Sequence, residues 1–105
     1  MLIDTHCHLN DEKLLPKADS IVKSLKADNI EAVINVGYDF LSSLKSVELA
    51  NTYNEVYATV GIHPHDAKTR KQADYDWFAK AVTDSKVVAI GEIGLDYFYD
   101  LSPRD

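Results

Sequence analysis

Apolar residues recur along the chain at two alternating spacings, every second position and every third or fourth. Leu2 and Ile3 lead a strand into Asp4-Thr5-His6-Cys7-His8, and side chains two apart in an extended segment share a face, so Asp4, His6 and His8 line up. Residues 9–15 read as a loop, and Pro16 suits the first helical position, where its missing N–H costs nothing. Ala18, Ile21, Val22 and Leu25 then form one apolar stripe at helical spacing, opposite Lys17, Lys23, Ser24 and Lys26. This predicts a first helix ending near Asp28-Asn29. Residues 30–36 (IEAVINV) are short and rich in β-branched side chains, as in a mostly buried strand, and Gly37 supplies the turn that stops it.

The same alternation continues. Asp39 is the expected N-cap of a second helix with Phe40, Leu44, Val47 and Ala50 on its inner face, fading around Asn51-Thr52. Residues 56–62 (VYATVGI) form the third predicted strand, running into His63-Pro64-His65. After a basic loop over residues 68–71, Asp74 is the expected cap of a third helix whose stripe is Tyr75, Phe78, Ala79 and Val82. Residues 86–91 (KVVAIG) make a fourth strand that delivers Glu92, followed by a turn over residues 93–97.

Strands alternating with helices predict an α/β fold of parallel strands with right-handed crossovers. Two architectures meet that description: an open doubly wound sheet, and a run of units from a TIM-like (β/α)8 barrel, whose chemistry gathers at the C-terminal strand ends. His6 and His8, His63 and His65, and Glu92 all fall at C-terminal strand ends, and no glycine-rich phosphate loop follows the first strand. The barrel is therefore the expected fold, with four strands and three helices, about half of a barrel, in this chain.

Composition changes this picture little. At 105 residues the chain is one domain at most, and 46% apolar with 27% charged residues is the balance of an ordinary folding protein. The sequence lacks the long apolar run of a membrane span and the basic and apolar start of a secretory signal, so the expected location is cytoplasmic with no membrane partner. The single cysteine, Cys7, builds no internal disulfide framework. The net charge of −6 argues against an unspecific grip on a nucleic-acid backbone. It leaves a polyanionic substrate open, because bound divalent cations reverse the local field.

Two imidazoles side by side at a strand end point to a metal, imidazole being the commonest metal ligand. The alternative is a pair of histidines satisfied by hydrogen bonds. Glu92 lies far off in sequence but, in a barrel, opens onto the same mouth, and a carboxylate has two oxygens with which to bridge two cations. Its flanking Gly91 and Gly94 point to a tightly packed setting, and the alternative is a residue of a solvated turn. Asp4 is expected to orient a neighbouring histidine, and Cys7 to point the other way as an inert thiol. His63 and His65 flank Pro64, which keeps them from behaving as a plain strand pair; contact with a substrate phosphate, support of a metal ligand, and a merely structural place in a loop all remain open. Asp96, Tyr97 and Tyr99 are candidates for a substrate path, or for burial under a neighbouring loop.

Four blocks together resemble the TatD family of metal-dependent deoxyribonucleases: Asp4-Thr5-His6-Cys7-His8-Leu9, Asn35-Val36-Gly37, Gly61-Ile62-His63-Pro64-His65 and Gly91-Glu92-Ile93-Gly94-Leu95-Asp96-Tyr97. The resemblance implies a barrel of the metallo-dependent hydrolase superfamily, with His6 and His8 on one cation and Glu92 shared with a second. It also implies hydrolysis of DNA phosphodiester bonds, often from the 3′ end, by a metal-activated water. Family members run well past residue 105, where later strands are expected to add two histidines and an aspartate. No histidine follows His65 here, and residues 101–105 resemble the lead-in to a further helix. Residues 1–105 are thus expected to be the N-terminal, truncated part of one barrel domain. With catalytic residues not assigned in this stretch, the chain alone is expected to be weakly active or inactive.

A half barrel leaves strand edges and an apolar face open, which favours self-association or packing against a missing C-terminal half. Two other functions stay in play: a deacylase of D-aminoacyl-tRNA or another ester or amide hydrolase on the same scaffold, and a non-catalytic, self-associating fragment. The donor set suits zinc, manganese, iron or nickel, and oxygen-rich completion would admit magnesium. Two divalent ions per complete site are expected.

Overall fold

Among the described residues, β1 (Leu2–Cys7), α1 (Ala18–Ser24), β2 (Ile30–Val36), α2 (Phe40–Thr52), β3 (Val56–Val60), α3 (Gln72–Ala81) and β4 (Val87–Ile90) succeed one another as predicted. Short 3-10 helices over Leu15–Lys17 and Pro64–Thr69 join them. The computed structural model describes residues 1–99 and 101–103; Asp100 lies outside these, as do Arg104 and Asp105, the end of the stretch expected to lead into a further helix. All neighbouring strands are parallel, in the order β1-β2-β3-β4. A doubly wound sheet reverses its strand order at a switch point, and this one does not, so crossovers of one hand put successive helices on one face. That is the arrangement of consecutive barrel units.

The helix-covered face holds the core. Val33, Val56 and Ala58 of the sheet pack under Ala18, Val22 and Leu25 and under Leu49 and Ala50. The other face is open: Ile3, Ile34, Tyr57 and Val88 line a shared groove on it, and the strand edges of β1 and β4 bound the described sheet. Ile90 is 61% exposed, although its sequence neighbourhood is that of a buried strand.

Helix ends follow their residue types. After α1 the chain reverses at Asn29, whose φ of 60° is the left-handed conformation an asparagine tolerates, and Ile30 N–H donates to Leu25 O at 2.9 Å. Asp39 caps α2 as expected: its Oδ1 accepts Ser42 N–H at 2.8 Å, and Ser42 Oγ accepts Asp39 N–H at 2.9 Å.

Three expectations are corrected. The face of α2 buried most deeply carries Ser42, Ser43 and Ser46 beside Leu49 and Ala50, with Phe40, Leu44 and Val47 only half-buried. The helix comes so close to the strand ends that a Cβ on Gly37 would lie 2.8 Å from Ser43 Cα, which leaves room for small residues only. Asp74 is not the cap of α3 but its third residue, reaching back to accept Lys71 N–H at 2.9 Å. The α3 stripe is apolar but open, with Tyr75, Phe78 and Val82 lining a 410 Å3 groove together with Val60, Ile62 and Ile90.

Candidate metal centre

His6 and His8 end β1, and Glu92 follows β4, so the two groups start from opposite sides of a four-stranded sheet. In a flat sheet three strand spacings would separate them by about 14 Å. Yet His6 Nε2 and His8 Nε2 each lie 3.7 Å from the same oxygen, Glu92 Oε2. The sheet therefore curls as a barrel wall does, and its C-terminal strand ends converge. One ligand atom from each of the three residues lies within 4.8 Å of the others.

The histidine end is held by a residue that sequence reasoning left without a role. Asn35, fully buried in β2, accepts Leu9 N–H on its side-chain oxygen and donates from Nδ2 to Asn10 Oδ1 at 2.9 Å and Ser46 Oγ at 3.0 Å. Ser46 Oγ in turn donates to Asn35 O at 2.6 Å. The loop leaving His8 is thus pinned to β2 and α2. The signal in the sequence is an amide in an otherwise apolar strand, since a buried polar side chain is costly unless all its partners are built.

His8 Nδ1 lies 3.0 Å from Val36 O. A carbonyl only accepts, so Nδ1 carries the proton and Nε2 turns a free lone pair toward Glu92. Tyr38 stands edge-on to the His8 ring at 5.7 Å. Burial first, and then the carboxylates of Asp39, Asp11 and Asp66, hold its phenol above the usual range, so it stays protonated. Asp4 does not reach an imidazole: its Oδ1 accepts the backbone N–H of His6 at 3.0 Å and so braces the strand end. Cys7 points away from the two histidines, packs half-buried against the core, and places Sγ 3.4 Å from Ile34 O. Burial, and secondarily Asp4, push its thiol from 9.0 up to about 11, which makes it a poor nucleophile.

Glu92 is placed by backbone contacts. Its N–H donates to Gly37 O at 2.7 Å, crossing in front of β3, and the Gly91–Glu92 peptide is cis. The crossing passes directly over Gly61, where a Cβ would lie 2.8 Å from Glu92 O and from Gly91 C. Main-chain atoms cannot give way as a flexible side chain does, so a glycine is required there.

His63 approaches from the other side, its Nε2 3.9 Å from the second carboxylate oxygen, Glu92 Oε1. His65 does not join the three candidate ligands. Its Nε2 lies 3.1 Å from Asp96 Oδ2, and its ring meets Tyr99 edge-on at 5.2 Å. Asp96 Oδ1 accepts the N–H groups of Phe98 and Tyr99 at 3.1 and 3.2 Å, which folds the segment after β4 into a turn. Tyr97 is exposed, beside a small cavity that it shares with Pro64, Asp96 and Pro103.

The donor set fits a divalent cation. Bonds of about 2.0–2.2 Å in tetrahedral geometry hold neighbouring donors roughly 3.4 Å apart, close to the spacing between each imidazole nitrogen and Glu92 Oε2. Two nitrogens and one oxygen leave coordination positions to be filled by other donors, water or substrate.

A sequence model of the family described as TatD related DNase matches residues 3–105. Over 105 residues the chain is 39% identical to a protein of Bacillus subtilis (strain 168) named uncharacterized metal-dependent hydrolase YabD, covering all of this chain and 41% of that one. It is 28% identical over 96 residues to the 3′-5′ ssDNA/RNA exonuclease TatD of Salmonella typhimurium, covering 91% of this chain and 37% of that protein. The crystal structure of YJJV, a TATD homolog from Escherichia coli K12, superposes with a TM-score of 0.81 at 27% identity, over 92% of this chain and 38% of that one. The chain thus spans about two-fifths of the length of the curated relatives it matches.

Proposed function

The chain belongs to the TatD related DNase family, and on that premise we propose that residues 1–105 are the N-terminal part of one barrel domain of a divalent-metal-dependent hydrolase. Its substrates are nucleic-acid phosphodiesters, taken from the 3′ end of single strands, in keeping with the exonuclease activity that the TatD relatives are named for. The observation that carries this reading is the sharing of Glu92: Oε2 faces the His6 and His8 nitrogens, while Oε1 is turned to the other side. Glu92 would hold one ion together with His6 and His8, and its other oxygen would be available to a second ion held by donors outside residues 1–105. When bound, the cations neutralise phosphate charge and lower the pKa of water, so no protein nucleophile is needed.

The chain's own residues do the holding. His6, His8 and Glu92 bind, Asn35 and Val36 O orient the His8 ring, and Asp4 braces the strand end from which His6 projects. The reading keeps the cytoplasmic location expected from the sequence, and among the described residues no helix is long and apolar enough to cross a membrane. The open sheet face and strand edges support self-association of this stretch, or packing against the remainder of the barrel.

The test takes the 105-residue protein through dialysis against manganese, zinc, nickel or magnesium, then offers it a 3′-labelled single-stranded oligonucleotide and an aminoacyl ester. Retained metal with little or no cleavage is expected, and sedimentation should show a species larger than a monomer. Absence of metal would overturn the reading in favour of a non-catalytic fragment. Cleavage of the ester alone would move the substrate class to the deacylases, and vigorous chelator-sensitive nuclease activity would refute an incomplete site.

A further inference from the structure

His63 and His8 both turn Nε2 toward Glu92, but the hydrogen bonds at the opposite ring nitrogen differ in sense. In His8, Nδ1 donates to a carbonyl. In His63, Nδ1 accepts the backbone N–H of His65 at 3.1 Å, capping the 3-10 helix of Pro64–Thr69. A nitrogen that accepts has its lone pair engaged, so the proton of the neutral His63 ring sits on Nε2. Ligation through that nitrogen would require moving the proton to Nδ1, against the His65 N–H.

His65, which supplies this N–H, is gripped from the segment that follows Glu92. Asp96 Oδ2 lies 3.1 Å from its ring Nε2. Ser102 Oγ donates to its carbonyl at 3.2 Å while accepting Lys68 N–H at 3.0 Å, and Tyr99 packs against the ring. Pro64 fixes the backbone between the two histidines, and Asp66 N–H donates to His63 O at 2.8 Å. The segment that delivers Glu92 therefore reaches round to hold the residue that sets the proton on His63.

We propose that Asp96 and Ser102, acting through His65, are positioning residues that fix His63 in its Nε2–H tautomer, so that this ring presents a hydrogen-bond donor beside Glu92 instead of a metal-ligating lone pair. The donor is placed for an anionic oxygen arriving at the centre, which for the activity proposed above, on which this inference rests, is a phosphate oxygen of the substrate. The arrangement leaves Nε2 of His8 open to a cation and places a proton on Nε2 of His63.

The test is a long-range 1H–15N correlation spectrum of the full chain labelled at histidine, at mildly alkaline pH. In the unaltered protein His63 should show a protonated Nε2 and an unprotonated Nδ1, and His8 the reverse. A protonated Nδ1 on His63 overturns the proposal without any variant. In Asp96→Ala combined with Ser102→Ala, the two His63 nitrogen signals should move toward each other as the tautomers mix, while the His8 pattern holds and reports an intact fold. His65→Gln, whose amide can still reach Asp96, should keep the His63 signals apart, whereas His65→Ala should not. Unchanged His63 signals in the double variant would overturn the proposal.

Zinc added to the unaltered protein should shift the nitrogens of His6 and His8 and leave the His63 tautomer in place. Displacement of the Nε2 proton of His63 by zinc would overturn the inference. Failure of His6 and His8 to respond would overturn the proposed metal centre instead, leaving the tautomer of His63 as measured.

Discussion

The two histidine pairs look alike in sequence, yet the Nδ1 atoms of His8 and His63 face hydrogen-bond partners of opposite sense. His6-Cys7-His8 ends a strand, and Nδ1 of His8 donates a hydrogen bond to Val36 O, which leaves the Nε2 lone pair open to a cation. His63-Pro64-His65 enters a 3-10 helix, and Nδ1 of His63 accepts a hydrogen bond from the backbone N–H of His65. The intervening residue decides much of this: cysteine lets the strand continue to its end, whereas proline turns the chain so that an amide points back. Whether a histidine is a ligand depends on what its far nitrogen does.

The sharpest break of this contrast is a comparison of His8→Ala with His63→Ala by equilibrium dialysis. Loss of His8 should cost more than about 100-fold in divalent-metal affinity, above the range for supporting residues. Loss of His63 should leave the affinity within about threefold, a change small beside that range; equal losses would erase the distinction. Next in size is Asn35→Ala, which leaves Leu9 N–H buried without its acceptor and should lower unfolding stability by about 2 kcal/mol in urea. Metal affinity should fall with it, and an unchanged midpoint would show that the loop after His8 is held by other contacts.

Gly61→Ala should then cost about tenfold in metal affinity, roughly 1.4 kcal/mol, by pushing Glu92 off its crossing over β3. Unaltered affinity would mean that the crossing accommodates a methyl group. The remaining expected effect is on stability and belongs to Cys7, where it is read from pH dependence. Its folded-state pKa is raised from 9.0 to about 11, so its contribution to stability is present in full below pH 9 and is lost as the pH rises through 11. The urea midpoint of the protein, relative to that of Cys7→Ala, should decline across that interval; parallel curves would show that the thiol is not desolvated.

The fold was largely legible, because the four strands and three helices are written in spacings that survive without knowledge of their neighbours. The parts that misled depend on closeness between elements. The serine face of α2 could not be read from an apolar stripe, since what selects Ser43 is the near contact of helix and strand end at Gly37. Tyr75 and Val82 gave a true helical stripe, but a stripe does not say whether anything covers it, and among the described residues they border an open groove. For the candidate site, His6, His8 and Glu92 were nameable from residue type and strand position, while Asn35 and Gly61, which hold them, carry no metal-binding chemistry of their own. Asp4 shows the same limit from the other side: its spacing placed it beside the histidines, yet its carboxylate is spent on a backbone amide.

The origin of the three candidate ligands in the two outer strands has a mechanical consequence. A cation gripped by His6, His8 and Glu92 would be a rivet joining the two ends of a curled ribbon. A pull on those ends would load the coordination bonds before any pair of strands, so the ribbon would resist as a hoop. Remove the rivet with a chelator, and the same pull should peel strands one at a time from the free edges, at a lower force and with a longer first extension.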